Sequence, residues 1–288
     1  METKPQNNLF ERLERVYDYI QANLDQALSV ERLAQVSGFS RFHFHRLFSL
    51  YTGLSVSAYV RQVRLQVVAH QLVFLKQRRI IEIGLDCGFE NPESLARAFK
   101  AAYGQSPSQF RKSPNSQPWT EPIGRVQQVR SQNVDVKIIN FPETQVAYLR
   151  HSGPPSRLNE SVAQFIAWRK ASGHSPVLTN QTFGLVYNDP ESVEPEAFQF
   201  DICGTTEVKV EPNPWGVKNT VLPSGRCAVV RHLGSTDEIN QTIWPLYRDW
   251  LPQSGEELRD FPLFFNYLTV AKEVPEKEQI TDIYLPLK

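Results

Sequence analysis

Cysteine and long apolar runs are scarce in this sequence, and each shortage excludes a class of protein. The 288 residues contain three cysteines, Cys87, Cys203 and Cys227, an odd number without paired spacing. Disulfide frameworks and zinc sites need cysteines, or cysteine with histidine, at short and regular spacings. We therefore expect a reducing compartment, no disulfide and no metal.

Signals for export and for membrane insertion are also missing. No stretch approaches the roughly 18 consecutive apolar residues that mark a membrane-spanning helix. Residues 1–20 lack a basic start followed by an apolar run, so we expect a cytoplasmic protein without membrane contact. The sequence contains neither a glycine-rich phosphate loop nor a Gly-x-Ser-x-Gly elbow. We expect no cofactor and no enzymatic activity.

The charges are distributed unevenly although the formal net charge is zero. Residues 1–115 contain 15 Lys and Arg against 10 Asp and Glu, whereas residues 116–288 contain 16 against 21. A chain of this length is about twice a typical domain, so each part can bury its own core. The positive excess in the first part indicates a polyanionic partner there.

Helical spacing in the first part predicts a helix-turn-helix. Apolar residues from Leu9 to Ile20 recur at the spacing that forms one stripe on a helix. Ser29 is a suitable cap for a second helix that ends at Gly38, where a residue tolerant of positive φ is expected. Ser40 then caps a third helix, so residues 29–51 are predicted as helix, glycine turn and helix.

The same pattern returns about fifty residues later. A long connecting helix is predicted between Ser57 and Gln77, and Asn91-Pro92 supplies a cap followed by proline at the first position of another helix. The segments GFSRFHFHRLFSLYTGLSVSAYVR and GFENPESLARAFKAAYGQSPSQFR align with one extra residue in the second. Residues 1–112 are therefore predicted to form an all-α domain with two helix-turn-helix units.

The pattern changes after residue 112. Residues 113–133 are rich in Pro, Ser, Gln and Asn and lack periodicity, which is typical of a linker. Short alternating runs follow, at residues 134–138 and 198–202, and favour half-buried strands. A second repeat matches FPETQVAYLRHSG with LPSGRCAVVRHLG at an offset of 81 residues. We predict an α+β domain over residues 134–288, in which two pseudo-symmetric repeats form a sheet with helices on one side.

One face of the third helix is suited to reading DNA. Its apolar positions at i, i+3, i+4 and i+7 belong to the core and are Phe44, Leu47, Phe48 and Tyr51. The opposite face consists of Arg41, Phe42, His45, Arg46 and Ser49. Arginine can donate two hydrogen bonds to guanine, histidine can bond base edges, and an aromatic ring can contact thymine methyl groups. A face that only meets solvent rarely combines Phe with Arg and His.

The helix after Asn91-Pro92 offers a second such face. It is predicted to present Asn91, Glu93, Ser94 and Arg97, with Arg97 as the candidate base reader. Basic residues nearby are expected to hold phosphates and to fix the register without reading sequence: Arg61, Arg64, Arg111 and Lys112. For any single one of these residues the alternative is an ordinary solvated charge.

Residues 9–112 resemble the AraC/XylS-type transcription regulators. The match rests on LAQVSGFSRFHFHRLFSLYTGLSVSAYVRQVRL and IIEIGLDCGFENPESLARAFKAAYGQSPSQFR. The resemblance implies a seven-helix domain whose two recognition helices enter successive major-groove segments of double-stranded DNA. It implies readers at Phe42, His45, Arg46, Glu93 and Arg97. The family commonly has alanine where Gly84 stands here, and a glycine inside a helix costs about 1 kcal/mol relative to alanine.

Residues 134–288 resemble the GyrI-like small-molecule-binding domains. The match rests on the repeat, its His-x-Gly turns and the closing strand TDIYLPL. It implies an aromatic ligand cleft between the two halves, and the candidate lining residues are Tyr148, Trp168, Phe183, Tyr187, Trp244, Phe265 and Tyr267. The family glutamate stands in a Phe-Glu-x-Tyr strand, and Phe265 takes its place here. We therefore expect a hydrophobic or aromatic ligand that need not be a cation.

Three hypotheses remain open at this stage. The first is a transcription regulator controlled by a small hydrophobic or aromatic ligand, with RNA polymerase as a further candidate partner. The second is a DNA-binding regulator whose second domain binds a protein partner and fills its cleft with its own aromatic side chains. The third is a small-molecule hydrolase of the GyrI-like group. The histidines His151 and His232 recur because the unit is duplicated, and we expect them to be structural.

Overall fold

The computed structural model describes residues 6–115, 134–190, 193–269 and 274–288. Most of the predicted linker, residues 116–133, lies outside the described residues. None of the helices in the described parts of the chain is long and apolar enough to cross a membrane.

The described residues of the first domain, 6–115, form seven helices. In chain order they are α1 (Gln6–Ala22), α2 (Val30–Ser37), α3 (Arg41–Thr52), α4 (Val56–Phe74), α5 (Ile80–Asp86), α6 (Pro92–Tyr103) and α7 (Pro107–Lys112). The predicted connecting helix corresponds to α4, which ends three residues earlier than expected because Leu75 leaves the helical conformation. The other predicted helices are present with ends shifted by a few residues at most.

Caps and glycines set the limits of these helices as the sequence predicts. The Ser29 hydroxyl accepts a hydrogen bond from the Arg32 backbone N–H at 3.2 Å, and Gly38 ends α2 with a φ of 68°. Gly88 occupies the equivalent turn of the second unit with a φ of 74°. A Cβ at Gly88 would stand 2.3 Å from the Leu24 carbonyl oxygen, so this turn also needs the close approach that glycine permits.

The part of the second domain that the structure describes forms one antiparallel sheet. Its strands are β1 (Lys137–Phe141), β2 (Thr144–Ser152), β3 (Thr182–Val186), β4 (Gln199–Thr205), β5 (Lys218–Leu222), β6 (Gly225–Leu233), β7 (Leu263–Tyr267) and β8 (Ile280–Pro286). Their order in the sheet is β1-β6-β8-β7-β3-β4-β2-β5. The predicted alternation at 134–138 places the first strand too early, because β1 begins at Lys137.

The two repeats are related by a pseudo-twofold axis between β7 and β3, which confirms the predicted architecture. The first strand of each repeat pairs with a strand of the other repeat: β1 pairs with β6 of the second repeat, and β5 pairs with β2 of the first. This exchange binds the two halves into one sheet.

Helices cover one face of this sheet. They are α8 (Leu158–Ser172) in the first repeat and, in the second, α9 (Asn240–Pro245), which continues through the π-helical turn 246–250 into α10 (Leu251–Ser254). Residues Phe165 and Trp168 of α8 are buried in this core together with Leu246 and Tyr247 of the π-helical turn. The opposite face carries a separate aromatic cluster.

Candidate nucleic-acid interface and ligand face

The outward side of α6 is open to solvent. Leu95 and Phe99 are buried, while Glu93 and Arg97 on the opposite side are exposed. Asn91 caps the helix by accepting a hydrogen bond from the Ser94 backbone N–H at 2.8 Å. The predicted second reading face is therefore present and accessible, with the Arg97 guanidinium at its centre. Its contact with bases remains a prediction.

A groove with a volume of about 690 Å³ runs between α4 and α6. Its lining includes the arginines Arg61, Arg64 and Arg97. Arg61 is exposed, whereas Arg64 donates to the carbonyl oxygens of Leu24 at 3.0 Å and Gln26 at 2.8 Å. The guanidinium of Arg64 thus ties α4 to the turn before α2, and of these two α4 arginines only Arg61 is left as a candidate phosphate contact.

The two basic residues at the end of α7 differ in accessibility. Lys112 is exposed, and Arg111 is half-buried with its Nε and Nη2 atoms inside the protein and without a hydrogen-bond partner. Lys112 is accordingly the better placed of the two predicted phosphate contacts.

The reading face of α3 is covered by the second domain, which the sequence did not predict. Arg41 is exposed and Phe42 and Ser49 are half-buried, but His45 and Arg46 are only 2% and 4% exposed. Phe44, Leu47 and Phe48 pack in the first domain as predicted. With both sides of α3 buried, His45 and Arg46 cannot reach bases in this arrangement, and their role as readers stays a prediction.

Two histidines on α3 form hydrogen bonds across the domain contact. His43 Nε2 lies 3.1 Å from the Arg259 carbonyl oxygen and Nδ1 lies 2.8 Å from the Tyr247 hydroxyl. Because a carbonyl can only accept, Nε2 carries the proton and Nδ1 accepts from Tyr247. His45 Nε2 accepts from the backbone N–H of Asp189 at 2.6 Å.

Three further contacts complete this surface. Arg46 Nη1 donates to Asn240 Oδ1 at 3.3 Å, and the Tyr51 hydroxyl lies 3.4 Å from the Arg248 carbonyl oxygen. The rings of Phe42 and Tyr187 meet edge to face with centroids 5.8 Å apart. The second domain thus contacts α3 along most of its length, from Phe42 to Tyr51.

Burial keeps both histidines neutral. The pKa of His43 is lowered to about 3 and that of His45 to about 4, chiefly by desolvation and in smaller part by the charge of Arg46. All ring nitrogens of His43 and His45 are engaged in the neutral form, since His45 Nδ1 also donates to the Arg41 carbonyl oxygen at 3.1 Å. Protonation of His45 would remove the acceptor that holds Asp189.

We call the residues on the side of the sheet opposite the helices the aromatic face: Phe141, Tyr148, Phe183, Tyr187, Phe264 and Tyr284. Phe264 and Tyr284 stack with centroids 4.8 Å apart and an interplanar angle of 8°. Phe141 meets both rings edge on, at 5.0 Å and 5.4 Å. Much of this face is therefore filled by the protein's own rings.

Two equivalent ion pairs border the aromatic face. Arg150 donates to both carboxylate oxygens of Asp201 at 2.8 Å, and Arg231 donates to those of Asp282 at 2.7 and 2.9 Å. The pairs are related by the repeat offset. In the first repeat Tyr187 joins the pair, because its hydroxyl donates to Asp201 Oδ2 at 2.8 Å and accepts from Arg150 at 2.9 Å.

Asn266 is a polar residue in the middle of this face. Its register neighbours are Phe183 on β3 and Asp282 on β8. It is 4% exposed and hydrogen-bonds to the Tyr284 hydroxyl, but its Oδ1 atom has no hydrogen-bond partner. A buried amide oxygen without a partner costs about 1–3 kcal/mol, and such a cost at one position favours a ligand contact.

The predicted cleft residues lie in three different places. Tyr148, Phe183 and Tyr187 lie on the aromatic face. Trp168, Phe265 and Tyr267 pack in the helix-covered core, and Trp244 is 40% exposed on α9. The expectation that all seven line one cleft is thus corrected: side chains alternate along a strand, so Phe265 points to the helices and its neighbour Asn266 takes the position on the aromatic face.

The paired histidines of the repeat have structural hydrogen bonds. His151 lies 2.9 Å from the Ser161 hydroxyl, and His232 lies 2.8 Å from the Thr242 hydroxyl. His232 Nε2 donates to the Ser235 carbonyl oxygen at 2.9 Å. Each histidine therefore joins a strand to the start of the following helix.

Comparison with known proteins matches the two parts of the chain separately. A family model for a helix-turn-helix domain matches residues 33–113, and a model described as a GyrI-like small molecule binding domain matches residues 134–288.

Two curated relatives are named as transcription regulators. The chain is 49% identical over 154 residues to the probable transcriptional regulator YgiV of Escherichia coli K12, an alignment that covers 54% of this chain and 96% of that protein. It is 26% identical over 253 residues to the transcriptional regulator Rob of Salmonella typhimurium, covering 81% of this chain and 82% of Rob. Among solved structures, the EcmrR C-terminal domain matches with a TM-score of 0.46 and 19% identity, over 55% of this chain and 99% of that one.

Proposed function

Because this chain belongs to the GyrI-like small molecule binding family and carries an AraC-type helix-turn-helix domain ahead of that module, we propose that it is a cytoplasmic DNA-binding transcription regulator controlled by a hydrophobic or aromatic small molecule. The first domain reads DNA through α3 and α6. The second binds the ligand on the aromatic face, and RNA polymerase is the partner on which regulation acts.

The open side of α6 supports the DNA half of this proposal. Arg97 is exposed beside the groove that also contains Arg61. A guanidinium in this position can donate two hydrogen bonds to the O6 and N7 atoms of guanine. Arg61 and Lys112 are exposed cations, to which we assign phosphate contacts that set the register.

The unpartnered oxygen of Asn266 is the observation that carries the ligand half. Asn266 lies next to Phe183 in the sheet and hydrogen-bonds to Tyr284, and its free Oδ1 can accept a hydrogen bond from an N–H or O–H group of a ligand. The carboxylates of Asp201 and Asp282 are each neutralised by an arginine. An aromatic molecule that is neutral and has one donor group therefore fits this face better than a cation does.

A protein partner for the second domain is the second candidate function. It is favoured by the packing of Phe141, Phe264 and Tyr284 against one another, which leaves less room for a small molecule. We propose no enzymatic role, because Asp201 and Asp282 are held in ion pairs and His151 and His232 in structural hydrogen bonds.

Selection of preferred sites from a random duplex library tests the proposal. We expect the full-length chain to select one asymmetric site of roughly 15–20 base pairs, as two adjacent groove contacts require. The selection is repeated with neutral and cationic aromatic compounds, and neutral ones should change the affinity for the selected site. Absence of any sequence preference at moderate salt would exclude the DNA half, and a site whose affinity no compound changes would favour the protein partner.

A further inference from the structure

The predicted DNA-reading face of α3 packs against a complementary surface of the second domain. His43, His45 and Arg46 each form a hydrogen bond to the second domain. The first domain has an excess of positive charge and the remainder of the chain an excess of negative charge. Burial lowers the pKa of the Arg12 guanidinium on α1, and Coulombic attraction to Glu257 on the second domain partly opposes this lowering.

DNA and the second domain need the same atoms of α3. A base-reading arginine must place its guanidinium in the major groove, and the Arg46 side chain is directed instead to Asn240. His45 is 2% exposed and its Nε2 is already used by Asp189. The helix can therefore contact one of the two partners at a time.

A short segment connects this contact to the ligand face. Tyr187 follows β3 directly, and its hydroxyl bonds both members of the Arg150–Asp201 ion pair. The ring of the same residue packs on Phe42 of α3. Two residues later, the backbone N–H of Asp189 donates a hydrogen bond to Nε2 of His45. A molecule that displaces Tyr187 from the aromatic face breaks its ring contact with Phe42, and a shift of the 187–189 backbone also disturbs the hydrogen bond from Asp189 to His45.

We propose that the second domain competes with DNA for the reading face of α3, and that a ligand which moves the 187–189 segment releases this helix. The inference rests on the proposed function for its DNA partner. In the closed form, in which the second domain covers α3, α6 remains exposed. The chain then contacts DNA in one groove segment. In the open form α3 and α6 together occupy two groove segments about 34 Å apart.

The substitution Asn240→Arg tests the competition from the side that does not touch DNA. An arginine at this position repels Arg46 and opens the contact, since like charges placed close together destabilise an interface. We expect about tenfold tighter binding to the selected site, because the apparent dissociation constant falls as the competent fraction rises. The nuclease footprint should lengthen from one groove segment to two.

Asn159→Arg is the matched control. Asn159 occupies the position in the first repeat that is equivalent to Asn240, and it is exposed on α8. The control adds the same charge to the same domain. Equal gains from Asn159→Arg and Asn240→Arg would therefore identify a general charge effect and overturn the proposal.

Tyr247→Phe provides a variant that keeps the fold. It removes only the hydroxyl that donates to His43, and a smaller gain of a few-fold in DNA affinity is expected. Tyr187→Ala removes the ring that contacts Phe42 and should raise DNA affinity without any ligand. Unchanged affinity in both variants would contradict the proposal.

Hydrogen exchange of the α3 backbone in the absence of DNA separates this inference from the proposed function. Faster exchange at residues 41–52 in Asn240→Arg, with no change in Asn159→Arg, shows that the contact opens whether or not the chain recognises a DNA sequence. If specific DNA binding is found but exchange and affinity are the same in both variants, the regulator stands and the competition is refuted. If exchange increases but no variant binds a specific site, the contact is real and the DNA partner is wrong.

Discussion

The backbone N–H of Asp189 donates a hydrogen bond to Nε2 of His45 across the domain contact, at 2.6 Å. The same imidazole donates from Nδ1 to the Arg41 carbonyl oxygen one helical turn earlier. Both nitrogens are thereby assigned, and only the neutral ring satisfies both bonds. The covered state of α3 consequently depends on the protonation of a histidine.

Acid should open the domain contact. The pKa of His45 is about 4 in the closed form and that of His43 about 3, both lowered first by burial, whereas a solvated histidine titrates near about 6.5. Protons therefore bind the open form more tightly, and the contact is fully stable above about pH 6.5 and weakens as the pH falls towards 4. At pH 5 the loss is of the order of 2 kcal/mol for each histidine, at about 1.4 kcal/mol per pH unit. Small-angle scattering of the full chain between pH 7.5 and 5 should show an increase in radius of gyration.

The groups that face these rings do not reverse this sign. Arg46 opposes protonation and Asp189 favours it at His45, while the Tyr247 hydroxyl and the carbonyls of Arg259 and Phe261 surround His43. His45→Gln keeps an acceptor for Asp189 and a donor for Arg41 but cannot titrate, so it should remove part of the pH dependence. His70→Gln, at a position exposed on α4, should leave the pH dependence of the radius of gyration unchanged. A radius independent of pH in the unmodified chain would contradict this account.

Local signals in the sequence were sufficient for the helices of the first domain. The cap at Ser29, the glycine at Gly38 and the Asn91-Pro92 start each act within one helical turn, so they can be recognised without knowledge of the rest of the fold. The repeat similarly predicted two equivalent halves in the second domain. It could not predict the exchange of β1 and β5, because equivalent strands can pair either within a repeat or between repeats.

The candidate sites were predicted less completely for two physical reasons. A shift of one residue along a strand moves a side chain to the opposite face, and this is why Phe265 was expected where Asn266 lies. The covering of α3 was missed because a face with Arg, His and Phe suits DNA and a protein surface equally well. The one available signal was Phe42, an apolar side chain on a face that was predicted to contact DNA.

Arg97 and Lys112 should respond differently to truncation. Arg97→Ala removes a bidentate donor on the open face of α6, and we expect a loss of about 1–3 kcal/mol in specific binding together with a relaxed preference at one base pair. Lys112→Ala should weaken binding to all duplexes alike and reduce the slope of log K against log salt by about one. Titrations on the selected site and on random duplex, at several salt concentrations, distinguish the two. Equal losses for Arg97→Ala on both duplexes would show that this arginine contacts phosphate.

The two equivalent ion pairs should contribute unequally to stability. The Asp201 side chain is 2% exposed, so Arg150→Leu leaves a buried carboxylate with only Tyr187 as its side-chain partner, at a cost of about 3 kcal/mol. Asp282 is 12% exposed and Arg231 55%, so Arg231→Leu should cost about 1 kcal/mol or less. Denaturant unfolding followed by tryptophan fluorescence measures both. The repeat makes each substitution the control of the other, and equal losses would show that burial does not determine the difference.

Asn266→Leu should raise stability and abolish the ligand response. The equivalent residue of the first repeat is Leu185, which is buried, so this substitution makes the two halves alike at this position. It removes an amide oxygen without a partner and loses one hydrogen bond to Tyr284, and we expect a net gain of about 1 kcal/mol. Calorimetry of the full chain should therefore show a higher Tm but no further increase on addition of the neutral compound that changes DNA affinity.

Asn266→Asp separates the polar contact from the shape of the site. The two side chains have nearly the same size, so the aromatic face keeps its form, but the new carboxylate stands near Asp282 and is ionised more readily when a cation is bound. We expect the preference to change from neutral to cationic aromatic compounds, measured as the shift in Tm that each compound produces. If the unpaired Asn266 oxygen does not contact a ligand, Asn266→Leu should still raise the Tm. Asn266→Asp should then leave the preference between neutral and cationic compounds unchanged. That pair of results would place the ligand elsewhere and leave the second domain as a surface for a protein partner.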